Sequence, residues 1–242
     1  MEAIKIEGLT KKYRDTLAVD ALTLSVREGE LFSLLGVNGA GKTTTIKMLS
    51  CLTEPTEGDA YLLGKSIRKD TREVKSLIAV SPQETAVAFG LSVRENLELM
   101  CGVHGLSGKG REEKIGELSA LLGLESVIGK RAGKLSGGFQ RRLSIAMALI
   151  SEPRILFLDE PTLGLDVIAR SDLWELIRSL KGRITVILTT HYMEEAEALS
   201  DRIAIMRDGK LLICDAAEAI KRAAGTDKFE EAFVRIVKGV TG

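Results

Sequence analysis

Apolar and polar residues alternate near the start of the chain, at Ile4 and Ile6 and again at Leu22, Leu24 and Val26. A repeat of two with one wet face marks half-buried antiparallel strands, so Ala3 to Val26 is predicted as a set of short strands. Further on the pattern changes. Leu31-Phe32-Ser33-Leu34-Leu35, Ile155-Leu156-Phe157-Leu158 and Ile184-Thr185-Val186-Ile187-Leu188 are apolar almost throughout. The later two suit parallel strands covered on both faces. Two more short strands are expected, at Ala60 to Leu63 and Leu77 to Val80, with a short helix from about Thr71 between them.

From Glu84 to Lys134 the character turns helical. Ser92-Val93-Arg94-Glu95 is a capping-box sequence, and Leu97 and Met100 give the next helix its apolar side. After a Gly-rich loop from Gly102 to Gly110, Arg111 to Leu122 carries Ile115, Leu118 and Leu122 on one face. A third helix should bury Phe139, Leu143, Ala146, Met147 and Ile150 before Pro153 breaks it. Helices are also placed at about Ala169 to Leu180 and Met193 to Leu199, and Asp208-Gly209 between two apolar runs signals a hairpin. The tail from Asp215 reads as two helical pieces, the second with Phe229, Phe233, Ile236 and Val237 on one side.

This pattern describes an α/β chain with a mixed, mostly parallel core sheet. Residues 1–83 and 135–214 form its core, with an antiparallel β portion at the N-terminal end. Residues 84–134 form an inserted helical subdomain whose last helix continues to about 150, and 215–242 a helical tail. A chain of 242 residues suits one sizeable domain with such an insertion.

Charge and cysteine content narrow the partners. Lys+Arg and Asp+Glu both number 34, which argues against a nucleic-acid binder working through a broad positive field. Cys51, Cys101 and Cys214 form no close pairs and leave an odd one over, as expected of reduced thiols in a cytosolic setting. No signal peptide is expected, and no apolar run approaches the roughly 20 residues that span a bilayer. A membrane role would have to come through a partner.

The candidate chemistry sits where the strands end. Gly36-Val37-Asn38-Gly39-Ala40-Gly41-Lys42-Thr43 joins an apolar strand to the helical run from Thr44, the order a P-loop requires. Such a loop turns successive N–H groups inward around a phosphate chain, and the helix start favours the same anion. Lys42 would reach the terminal phosphates and the Thr43 hydroxyl a magnesium ion.

Asp159 and Glu160 follow a buried strand, so Asp159 could hold magnesium through water while Glu160 polarises an attacking water. His191 follows another and can hydrogen-bond a terminal phosphate; standing alone it would be a structural histidine. Gln83, after Ser81-Pro82, could reach the metal or the water, or be an ordinary loop residue. Ser136-Gly137-Gly138 opens a helix and offers an anion a hydroxyl and free N–H groups, or else simply caps that helix. Tyr13 could stack on an adenine base or pack on the sheet edge.

Taken in order, the motifs GVNGAGKT, SPQ, LSGG, ILFLDE, the turn ending at Asp166, and His191 resemble the ATP-binding subunit of ABC transporters over nearly the whole chain. The fold implied is that of the ABC ATPases among P-loop NTPases, with ATP and Mg2+ as ligands. By this resemblance residues 36–43 are the Walker A loop and Glu160 the catalytic carboxylate. Gln83 is the Q-loop residue, His191 the switch histidine and Tyr13 the adenine-stacking aromatic. Ser136, Gly137 and Gly138 form the signature motif, which acts on the ATP of a second subunit, and Asp166 lies in the D-loop.

The resemblance therefore implies a homodimer, or a pair with a paralogous ATPase, on an integral membrane permease at the cytoplasmic face. The segments around Ser92 and Thr190-His191-Tyr192-Met193-Glu194-Glu195, and Phe229-Glu230-Glu231-Ala232-Phe233, look like the drug, antibiotic and sodium exporters of prokaryotes. An importer ATPase, and a soluble relative acting on ribosomes or DNA, are the alternatives. Two departures stand out: Phe139 occupies the place after the second signature glycine, with Gln140 next, and Val167 follows Asp166 where a proline is common.

Overall fold

The computed structural model describes residues 1–239; the last three residues of the tail lie outside it. The N-terminal segment is two long strands, β1 (Glu2–Tyr13) and β2 (Thr16–Arg27), where the alternation predicts several short ones. Register shifts at four points along the pair break the regular alternation, and this is why the sequence looks interrupted. β1 and β2 join β4 (Glu57–Leu62) and β5 (Lys65–Ser66) in an antiparallel sheet of order β2-β1-β4-β5.

The second sheet holds β3 (Leu31–Gly36), β6 (Ile78–Ser81), β7 (Ile155–Asp159), β8 (Thr185–Thr190), β9 (Arg202–Arg207) and β10 (Lys210–Asp215), in the order β10-β9-β3-β8-β7-β6. Every pairing in it is parallel except the β9–β10 hairpin. All residues of β3, β7 and β8 are buried, as their unbroken apolar runs require.

Alternate residues of these strands enter two cores. Phe32, Leu34, Ile155, Phe157 and Ile187 pack with Ile46 and Met48 of α1 (Lys42–Leu49), Val74 of α2 (Thr71–Leu77) and the antiparallel sheet. On the other face, Leu156, Leu158, Val186 and Leu188 meet four helices: α3 (Val93–Val103), α4 (Gly108–Leu121), α5 (Gly137–Leu149) and α6 (Val167–Leu180). The core beneath the helical segment is therefore continuous with that of the sheet. α7 (Met193–Leu199), α8 (Ala217–Ala223) and α9 (Phe229–Lys238) close the far end, where Phe229 and Phe233 pack with Leu35, Ile203 and Ile205.

Local chemistry sets the helix limits. Ser92 and Glu95 form both bonds of the capping box at the start of α3. Asn96, fully buried one turn on, both accepts from and donates to the Ala88 backbone, pinning the irregular segment before the helix. The expected loop from Gly102 to Gly110 shrinks to four residues, 104–107, because α3 and α4 each extend into it. Apolar faces with buried partners outweigh the helix cost of single glycines, about 1 kcal/mol each. α6 likewise begins two residues early, because Asp166 caps it by accepting from the Ala169 N–H at 2.9 Å.

Candidate functional site

Parallel pairing brings the ends of four strands to one level. Leu35 lies beside Thr190, Thr189 beside Asp159, and Leu158 beside Ser81. The residues just beyond, 36–43, His191, Glu160 and Gln83, thus meet at the C-terminal edge of the sheet, where open α/β folds place ligands. Residues 38–44, Gln83, Glu160 and His191, with Thr16, Leu17 and Ala18 of β2, line an open cleft of about 730 Å³.

The loop between β3 and α1 is shaped for an anion. Gly41 adopts φ 98°, and a Cβ there would lie 2.5 Å from the Ala18 carbonyl. A Cβ on Gly36 would come 2.4 Å from the Met206 carbonyl of β9. Side chains are excluded at both places, one by torsion and contact, the other by contact alone. Among the described residues, the N–H groups of Asn38, Gly39, Gly41, Lys42, Thr43 and Thr44 donate to no protein acceptor. Unpaired donors gathered at a helix start form an anion cradle. Lys42, 6% exposed, folds its ammonium onto the Gly36 carbonyl at 2.7 Å and lies 3.5 Å from Glu160 Oε1.

The carboxylates are fixed from behind. Asp159 Oδ1 accepts from the hydroxyl of Thr43 at 3.1 Å and from that of Thr189 at 2.5 Å. Glu160 has φ 48°, a left-handed conformation that costs a non-glycine residue about 1–2 kcal/mol. Its N–H donates to both the Thr189 hydroxyl at 3.0 Å and the Thr189 carbonyl at 3.2 Å, which hold the strained turn. The turn points the carboxylate back into the cleft, where Oε2 lies 2.5 Å from His191 Nδ1. A Glu–His pair beside an ammonium can accept a proton from water and keep the charge balanced. Thr43, Asp159 and Gln83 offer only oxygen donors of the kind a hard divalent cation selects, so the residues present fit magnesium.

Other residues singled out by the sequence fall elsewhere. Tyr13 stands 45% exposed at the end of β1, beneath the Lys11 ammonium, and does not line the cleft; Leu17 does. Ser136, Gly137 and Gly138 lie outside it as well, at the start of α5, and the Ser136 hydroxyl makes no cap bond. Gly138 abuts Ala169, since a Cβ on it would lie 3.1 Å from that methyl group. The starts of α5 and α6 are therefore neighbours, and Val167 and Ile168 beside them are 72% and 75% exposed. Phe139 packs against the edge of the core as its periodicity predicts, but stays half-buried beneath the Arg142 guanidinium. Gln140 turns inward and donates to the Ala132 and Leu135 carbonyls, so it cannot stand in for a residue at position 139.

Sequence reasoning missed Thr189, Glu195 and Arg141. Thr189 gave only the signal of a hydroxyl closing an apolar strand. Glu195 is fully buried on α7, where Oε1 accepts the Trp174 indole N–H at 3.1 Å and Oε2 makes no hydrogen bond of normal geometry among the described residues. The buried Thr162 hydroxyl also lacks one. Burial, reinforced by the negative charge of Glu160, pushes the Glu195 carboxyl above the usual carboxylate range. The fold then binds a proton that the unfolded chain releases above about pH 4.3, and stability falls as pH rises toward the folded value. Glu195→Gln removes that proton. Its melting temperature should gain on the native chain as pH rises from about 5 to 8, and a constant difference by calorimetry would contradict this.

Known proteins resemble this chain in sequence and in fold. The family profile described as ABC transporter matches residues 19–163. The probable multidrug ABC transporter ATP-binding protein YbhF of Escherichia coli is 39% identical over 97% of this chain, which spans 41% of that protein. Nod factor export ATP-binding protein I of Burkholderia orbicola is 40% identical over 94% of the chain and 75% of its own length. Among solved structures, an ATP-binding subunit of an ABC transporter superposes with a TM-score of 0.84 at 27% identity, covering 97% of this chain and 99% of that one. A dimeric ATP-binding cassette, MJ0796, in a post-hydrolysis state with ADP and Pi superposes at 0.78 and 28% identity, over 88% and 98% of the two chains. With its strand-end cleft, its glycine cradle and its likeness along most of a Nod factor export protein, the chain belongs to the ABC transporter family, in that family's ATP-binding part.

Proposed function

We propose that the chain binds and hydrolyses ATP to drive an exporter, as a subunit that pairs with a second copy and docks on an integral membrane permease. One observation carries the reading: Glu160, paired with His191 and facing Lys42, stands beside a loop of unpaired N–H groups in a single cleft. In this reading residues 36–44 hold the phosphates, and Lys42 exchanges its Gly36 carbonyl and Glu160 for them. Glu160 accepts the proton of the attacking water while His191 holds its carboxylate in place. Thr43, Asp159 and Gln83 would hold magnesium, Asp159 through water, and the cation would neutralise charge developing on the phosphates.

Ser136–Gly138 and Asp166 lie on a surface that carries the exposed Val167-Ile168 pair and continues to Leu163 at the rim of the cleft. That placement fits a second copy bringing its own Ser136–Gly138 over the phosphates. Leu17 and Leu163 are exposed apolar side chains lining the cleft, and Tyr13 is not among its residues, so Tyr13 would have to swing to reach a base bound there. Residues 1–83 and 135–214 would be the catalytic core, 84–134 the insertion that meets the permease, and 215–242 an accessory tail. The names of the Nod factor and multidrug relatives support export over import. No helix among the described residues is long and apolar enough to cross a membrane, so attachment at the cytoplasmic face would run through the permease.

The test is phosphate release from Mg-ATP by the purified chain, with its mass measured in solution. Turnover with an ATP-dependent shift from monomer to dimer is expected. Tight ATP binding by a chain that stays monomeric and releases no phosphate would overturn the reading.

A further inference from the structure

α5 buries a polar strip among its apolar residues. Arg141 is 4% exposed, yet no carboxylate comes within ion-pair distance of it among the described residues, and Asp159 and Glu195 act on it only from farther away. Its guanidinium instead donates to two successive backbone carbonyls, Pro82 at 2.6 Å and Gln83 at 2.7 Å. One turn further along the same face, the Ser144 hydroxyl meets that of Ser81 at 2.9 Å, both fully buried. Two residues of one helix thus grip three consecutive residues, 81–83, as the chain leaves β6.

Burying a guanidinium that no carboxylate touches is costly, and the charges of Asp159 and Glu195 offset only part of that cost, so an apolar side chain of similar size would fill this position at lower cost. Burial indeed pushes the Arg141 pKa below its ordinary value. The segment it holds has little else to fix it. No N–H between residues 83 and 87 donates to a backbone acceptor among the described residues, and Pro82 has none to give.

We propose that Arg141 is a positioning residue that makes the start of α5 and Gln83 one mechanical unit. A contact made at Ser136–Gly138 by a second copy then reaches the Gln83 side chain in the chain's own cleft, about one helical turn away along α5. The inference rests on the proposed roles of Gln83 and of Ser136–Gly138. Arg141 acts through Gln83 and touches no reacting atom.

A double-mutant cycle with the purified full chain and Mg-ATP tests it. Arg141→Met should lower kcat on the order of tenfold to a hundredfold with little change in KM, the scale of a small misplacement near reacting atoms. Arg141→Lys, which keeps the charge and one bond, should fall between; it carries the same comparison if the methionine variant does not fold. In a Gln83→Ala background either substitution should add less than about threefold, because the residue it positions is gone. Native kcat in both arginine variants would overturn the proposal, and so would losses that multiply in the double variants. If Gln83→Ala alone leaves kcat unchanged, the role given to Gln83 fails and the inference falls with it. Multiplying losses on top of an impaired Gln83→Ala overturn the inference alone.

Discussion

Glu160→Gln should bind Mg-ATP about as well as the native chain and release phosphate on the order of 10²–10³ more slowly. The amide keeps the shape of the side chain and can still meet His191, so the strained turn held by Thr189 stays in place. It cannot accept a proton, so water loses its base. Binding should survive because Lys42 loses only a carboxylate 3.5 Å away, which competes with phosphate for the same ammonium. ATP that is held and not cleaved should keep two copies together. The variant is expected to run as a dimer on gel filtration with Mg-ATP and as a monomer without it. Turnover at the native rate would remove Glu160 from the mechanism.

Two inactive variants should restore activity when mixed. Lys42→Ala removes the ammonium from the cleft, and Gly138→Asp puts a carboxylate where phosphate would meet the start of α5. Each alone should abolish phosphate release. Gly138→Asp should still bind ATP, because Gly138 lies outside the cleft of its own chain. In a mixed pair, the cleft of the Gly138→Asp copy faces the intact α5 start of the Lys42→Ala copy. Half of randomly paired dimers are mixed and each has one sound site, so about a quarter of native activity is expected if the sites are independent. Cooperation between sites would lower that figure without returning it to zero. No recovery at all, with mixed dimers present by mass, would mean that each cleft works alone.

The legible part of this molecule is the part with local cause. The glycine loop, the carboxylates at the end of β7 and the Ser92 cap each need only neighbouring residues to be read, and the structure places them at the expected strand and helix ends. Asp208-Gly209 is similar: Asp208 at φ 49° and Gly209 at φ 79° form the hairpin turn their dipeptide predicts.

What escaped the sequence depends on contacts between distant segments. The sequence offers Tyr13 to a base, and only the register of β1 with β2 decides that Leu17 lines the cleft instead. Arg141 looks like a solvated charge on an amphipathic helix until β6 is placed against it, 58 and 59 residues away. Phe139 has the right spacing for the core and reaches its edge, but only the packing of neighbouring elements decides that it stays half-buried there. The left-handed turn at Glu160 carries no signature in residue type, since glutamate has no preference for it; Thr189 on the next strand enforces it.

The place of β3 in its sheet also bears on how the chain is made. β3 is flanked by β8 and β9, so the strand that launches the glycine loop pairs only with residues 186–190 and 202–206. During synthesis the loop leaves the ribosome more than 140 residues before either neighbour exists, and strands that close such spans form slowly. β1, β2 and β4 can pair early, but β3 must wait with both edges open. Nucleotide therefore cannot guide the early stages of folding and can only trap the finished sheet. A nascent chain halted before residue 202 should expose β3 to chaperones and proteases even in saturating ATP.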